Sequence, residues 1–174
     1  TAFNLHITEN PTPIIKEILN DRLRENHRLI TDFGTIVQEI LNKKAKIGLA
    51  VQIPKLNQSR IDGLVGRLTG EDFEESKWLL GSPIVNFSQS VVDDMIRKNA
   101  EFHYNSGLKP KVIRKEAGNC CKWCKSLVGT YTYPEVPKDV YRRHQNCRCT
   151  VEYFPKKGVR QDVHTKQIKF DEKL

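Results

Sequence analysis

Five cysteines fall between positions 120 and 149: Cys120, Cys121, Cys124, Cys147 and Cys149. Cys121-Lys122-Trp123-Cys124 is a C-x2-C step, the spacing at which one tight turn delivers two thiolates to a single ion. After 22 further residues comes Cys147-Arg148-Cys149, with His144 three positions before Cys147. Zinc takes four sulfur or imidazole ligands in a tetrahedron, so the candidate set is Cys121, Cys124, Cys147 and one of His144 or Cys149. Three other uses of the thiols stay open: a redox pair, disulfides with one cysteine left over, and free thiols packed as small hydrophobes. Trp123, inside the step, reads as core or as a lid over the site.

His144 admits a second chemistry. With Arg142, Arg143 and Tyr141, or with His164 and Lys166 further on, it offers an imidazole base, a second acid and a cation for a pentacoordinate phosphate, the needs of a metal-independent ribonuclease. The same stretch also admits plain binding. Residues 109–174 hold 16 basic and 7 acidic side chains, against 13 and 14 in residues 1–108, so the +8 charge of the 174-residue chain belongs to the cysteine-bearing part. Such a local excess favours a polyanion, most simply nucleic acid, with Arg142, Arg143, Arg148, Lys156 and Lys157 as phosphate contacts. The alternative is a solvated basic face that keeps the protein soluble. Tyr153 and Phe154 read as strand core.

These residues need elements to position them. Thr12-Pro13 marks a helix start. Ile15, Leu19, Leu23, Ile30, Phe33, Val37, Ile40 and Leu41 then recur at three- and four-residue steps, with Gly34 as a possible break into two helices. Residues 71–80 suggest a short helix stopped by Gly81-Ser82-Pro83. Ser88 or Ser90 then caps a helix carrying Val92, Met95, Ile96, Asn99, Phe102 and His103 on one face, ended by Gly107 and Pro110. Beyond Pro110 the texture becomes β-branched and aromatic, with strands at residues 112–113, 129–133 and 150–154. The reading is an α+β protein: a helical portion over 1–107, a small cysteine-bearing β module over 108–155 and a basic tail over 156–174. No apolar run approaches the roughly 20 residues that span a bilayer. The chain opens on Thr1 with Met95 its only methionine, so a longer parent polypeptide is expected.

The run Cys121-x2-Cys124, then Leu127-x-Gly129, then His144-x-Asn146-Cys147-Arg148-Cys149 resembles the signature of the phage Mu F-like head morphogenesis family, minor head proteins of tailed phages and prophages. The likeness covers about residues 84–170, and Gln145 stands where that family commonly has proline. It implies a non-enzymatic virion protein, made in the bacterial host cytoplasm, that meets portal or capsid proteins and acts in head assembly and DNA packaging or delivery. It implies no membrane partner and no small-molecule substrate. Prophage members fused to toxin domains also make a nuclease-type polymorphic toxin the alternative.

Overall fold

The computed structural model describes residues 12–70, 72–118, 120–156 and 159–161, with Thr12, Phe73, Lys156, Val159, Arg160 and Gln161 by their backbone only. The chain is α+β, with helices first and a small antiparallel sheet after them. Helix α1 (Thr12–Lys44) and α2 (Gln58–Gly70) come first, then the single turn α3 (Phe73–Ser76) running into a 3-10 turn (Lys77–Leu80), then α4 (Ser82–Asn105). Strand β1 (Lys111–Lys115) follows, then the short α5 (Lys122–Ser126), β2 (Gly129–Thr132), a 3-10 turn (Lys138–Tyr141), β3 (Thr150–Lys156) and β4 (Val159–Gln161). The sheet order is β2-β1-β3-β4, and all neighbours are antiparallel.

Two expectations about the helices are corrected. Gly34 does not divide α1: the helix continues through it, and a Cβ there would come within 2.4 Å of the Met95 sulfur of α4. The glycine marks a close helix approach, not a break. Nor does Ser82-Pro83 only stop the preceding helix. Proline suits a first helical turn, where its missing N–H has no partner to lose, so α4 begins at Ser82 with Gly81 as its cap, ahead of Ser88 and Ser90. Phe33, counted in the α1 stripe, is largely exposed.

Leu23 of α1, Ile61 and Val65 of α2, and Phe87 and Val91 of α4 make one apolar cluster. Further along α4, Ile96 and Ala100 pack against Val112, Val151, Tyr153, Val140 and Tyr141. Thus α4 bridges the helical part and the sheet, with Tyr153 as core on the strand, as its alternation implies. No helix among the described residues is long and apolar enough to cross a membrane.

Candidate metal centre

Strand alternation explains what lies at one end of this sheet. In β1 the inward-facing residues are Val112 and Arg114, and the register sets Val112 beside Tyr153 and Arg114 beside Val151. Val112 enters the apolar core, so period two forces Arg114 inward as well. There its guanidinium is 1% exposed. Nη1 donates to the Val140 carbonyl and, at 2.9 Å, to that of Arg142. Nη2 lies 3.7 Å from Cys124 Sγ and 3.6 Å from Cys147 Sγ. None of the ion pairs among the described residues involves Arg114. Among the described residues, the groups beside it that can become anionic are these two thiols.

The thiols arrive on two turns. The first is the start of α5: Cys121 is its N-cap, in extended backbone, and its sulfur accepts the Cys124 N–H at 3.4 Å. That contact folds the C-x2-C step back on itself, so both sulfurs face one point. The second turn runs over residues 144–147, where the Cys147 N–H donates to the His144 carbonyl at 3.1 Å. Asn146 sits at φ +59°, a left-handed conformation that asparagine tolerates better than most residues.

The start of α4 grips this turn from outside. Asn86 Nδ2 donates to the His144 carbonyl at 2.8 Å, and the Asn146 N–H donates to Ser82 Oγ at 3.0 Å. Arg143 ties the same segment to the middle of α4. Its side chain is 3% exposed and forks onto the buried Asp93, with Nη2 2.8 Å from Oδ1, while Nη1 donates to the Cys149 carbonyl at 2.8 Å.

The side chains meet as follows. His144 Nε2 is 3.3 Å from Cys121 Sγ and 3.0 Å from Cys124 Sγ, and Cys124 Sγ is 3.7 Å from Cys147 Sγ. Cys121, Cys124 and His144 form one ligand-competent triad and Cys124, Cys147 and Cys149 another, with the donor atoms of each within 4.8 Å of one another and Cys124 in both. His144 Nδ1 lies 2.6 Å from the Gln145 carbonyl. A carbonyl can only accept, so Nδ1 carries the proton and Nε2 turns its lone pair to the sulfurs. A carbonyl behind the ring is how ligating histidines are commonly oriented. With metal–sulfur bonds of about 2.3 Å, two thiolates of a tetrahedral site stand about 3.8 Å apart, close to the Cys124–Cys147 separation. The cluster can hold a metal ion.

Electrostatics point the same way. Burial pushes the Cys124 thiol up to about 12. Burial also raises Cys147, but the backbone N–H of Cys149, the Cys124 side chain and the charges of Arg143 and Arg114 outweigh it and bring that thiol below its usual value. A cation between them would favour the thiolate at both. Trp123 closes the site: its ring meets His144 edge-on at 5.7 Å, and the Arg114 guanidinium lies 5.6 Å from the ring centre. At 37% exposure it is not core, the other place the sequence left open for it, and it packs over the side chains of His144 and Arg114. Cys120, packed beside the cluster, bonds Glu116 at 3.1 Å, which with burial raises its thiol to about 11.

The structure thus gathers every proposed metal ligand: Cys121, Cys124, His144, Cys147 and Cys149. It treats the proposed phosphate contacts unequally. Arg142 is exposed and pairs with Asp139, and Arg148 is exposed. Arg143 is not at the surface, since its donors are taken by Asp93 and Cys149; in this arrangement it neither reaches phosphate nor assists His144 as a catalytic cation. The Lys156 side chain, Lys157 and His164, with most of the basic tail, lie outside the described residues. Sequence reasoning missed Arg114, Asn86, Ser82 and Asp93. Only Arg114 carried a signal, its two-residue offset from Val112 in a strand. Compared with protein-family models, curated proteins and solved structures, the chain matches none.

Proposed function

We propose that Cys121, Cys124, His144 and Cys147 hold a structural zinc ion, with Cys149 as a buried neighbouring thiol, and that the module they staple belongs to a non-enzymatic minor head protein of the phage Mu F-like kind. The observation that carries the zinc reading is His144, whose Nδ1 is held by the Gln145 carbonyl while Nε2 faces both sulfurs of the C-x2-C step. On binding zinc, those S···N distances should open to about 3.6 Å. The ion would cross-link α5 to the 144–147 turn, two short segments with little apolar area of their own to bury, and so supply folding energy where the core does not reach.

The head-protein reading rests on the resemblance of the motif. It gains support because the ordered parts of that motif have coherent structural duties here: cysteines and histidine converge, and Asn146 makes the turn that lets them. The excess of basic residues after position 108 supports contact with DNA backbone through Arg142 and Arg148.

Metal analysis and cobalt substitution test the zinc. One equivalent per chain, a tetrahedral cobalt spectrum kept by Cys149→Ser and altered by His144→Ala, are the expected results. Protein purified under reducing conditions without stoichiometric metal would refute it. Portal and scaffold genes beside the coding sequence are expected for the head protein. Cleavage of tRNA or plasmid that survives chelator and disappears in His144→Ala would replace this reading with the nuclease.

A further inference from the structure

Beside the 144–147 turn lies an open cleft of about 400 Å³, walled by Arg60, Gly63 and Arg67 of α2, Trp78 of the 3-10 turn, Asn86 of α4 and Gln145. It falls within the roughly 300–1,000 Å³ of ligand clefts. We infer that this cleft binds single-stranded nucleic acid, with Trp78 stacking on a base and Arg60 and Arg67 meeting phosphates. The inference goes beyond the zinc and head-protein reading, uses none of the metal ligands, and takes both its cations from before the basic part of the chain.

Trp78 is 50% exposed on a turn whose next residue, Leu79, is buried and pins it in place. The indole is therefore presented outward by an anchored element, as a stacking platform requires. Both arginines lie outside the ion pairs formed among the described residues. Arg60 is preorganised: it stacks 5.8 Å from the Phe87 ring centre and donates to Ser90 Oγ at 2.7 Å, which leaves the rest of its fork for a ligand. Arg67 is exposed, and among the described residues it donates to the Gly63 carbonyl of its own helix at 3.4 Å.

Seven residues along a helix separate the two cations by about 10.5 Å, too far for one phosphate and suited to an extended polyanion. No described residue lining the cleft is acidic. Gly63 leaves room on the same wall. A Cβ there would meet nothing within 4 Å, so packing inside the chain does not ask for glycine, although glycine weakens a helix. What its absent side chain leaves is room on the cleft side. A flat aromatic wall beside separated cations fits unpaired bases on a phosphate chain better than an acidic peptide, which has no face to stack. It also fits them better than a duplex, whose base faces are covered.

The test uses the full zinc-loaded chain and a fluorescent oligothymidylate of about 15 nucleotides, followed by anisotropy over a range of salt. The parent should bind the single strand more tightly than a duplex of equal length. Trp78→Leu should weaken binding about 5- to 150-fold at an unchanged salt slope, the loss of one stacked base. Arg67→Gln should flatten the log–log slope by about 0.7, one phosphate contact on a single strand. Gly63→Leu fills the cleft while favouring the helix, so its melting temperature should hold or rise as binding falls. Equal affinity for duplex, parent-like binding by Trp78→Leu and Gly63→Leu, or loss confined to an Arg148→Gln control would each overturn the inference. So would binding to polyglutamate at the same strength. The zinc content of the same samples reports separately on the metal.

Discussion

Replacing Arg114 by methionine keeps much of the apolar stem and removes only the guanidinium. That group holds two carbonyls, of Val140 and Arg142, and two sulfurs, at 3.6 and 3.7 Å. A buried acceptor that loses its donor costs about 1–3 kcal/mol, so the fold should weaken by about that much even without zinc. With zinc the loss should be larger. Three thiolates and a neutral imidazole around a divalent ion carry one excess negative charge, and Arg114 is the buried cation beside it. Removing outer partners of metal ligands typically costs 10–100-fold in affinity, about 1.4–2.8 kcal/mol. Competition against a chromophoric chelator measures that affinity, and cobalt substitution supplies a reading that a mere loss of bracing would not move. Without N–H donors the sulfur lone pairs rise in energy, so the thiolate-to-cobalt charge-transfer band should shift to longer wavelength. Arg114→Lys, which keeps the charge without the fork, should recover part of the affinity. An affinity within twofold of the parent and an unmoved band, alongside a lowered melting temperature, would mean that Arg114 only braces carbonyls.

Asp93→Asn should cost about 3–5 kcal/mol in urea denaturation, because it strands the buried Arg143 guanidinium; a loss below about 1 kcal/mol would show the pair to be dispensable. Stability should fall with pH below about 6.5, because burial lowers the pKa of His103 from that value and the unfolded chain then binds the proton the folded chain refuses. His103 is fully buried with neither ring nitrogen partnered, and His27, also lowered by burial, adds to the same trend. The contribution is complete above pH 6.5 and is lost on acidification. The stability of the parent relative to His103→Phe should therefore fall from pH 7 to pH 5, and a constant difference would sink the assignment.

Periodicity and turn chemistry made much of this fold legible. The long apolar stripe gave α1, Gly107 and Pro110 ended α4, and the β-branched runs after Pro110 became β1, β2 and β3. The error at Gly34 came from treating glycine as a local breaker, when a neighbouring helix comes close there. The error at Ser82-Pro83 came from the double use of proline, which ends one helix and suits the first turn of the next. The ligands were legible because spacing along the chain encodes a turn, and turns are local. Their supports were not: Asn86, Ser82 and Asp93 lie about 50–64 positions from the groups they hold, and no local pattern reports such a pairing.

Charge was the least faithful guide, for a physical reason. Counting basic residues treats each as a surface charge, but among the described residues after position 108 the side chains of Arg114 and Arg143 point inward. Arg143 is neutralised by Asp93, which belongs to the nearly neutral half of the chain, so the pair moves a positive charge out of the basic part and into the core. Arg114 has no carboxylate partner among the described residues and faces sulfur. A buried guanidinium without an anion is too costly to keep, since a bare ion loses several kcal/mol of hydration even after relaxation. Among the described residues the thiols are the groups placed to supply that anion: Cys147 is lowered beside Arg143 and Arg114, whereas burial holds Cys124 up at about 12. A bound cation resolves both difficulties together: it turns the thiols into thiolates and leaves one unit of negative charge for Arg114 to meet. The same residue that weakens the case for a uniformly basic surface is thus the strongest reason, apart from the ligands themselves, to expect metal at this centre.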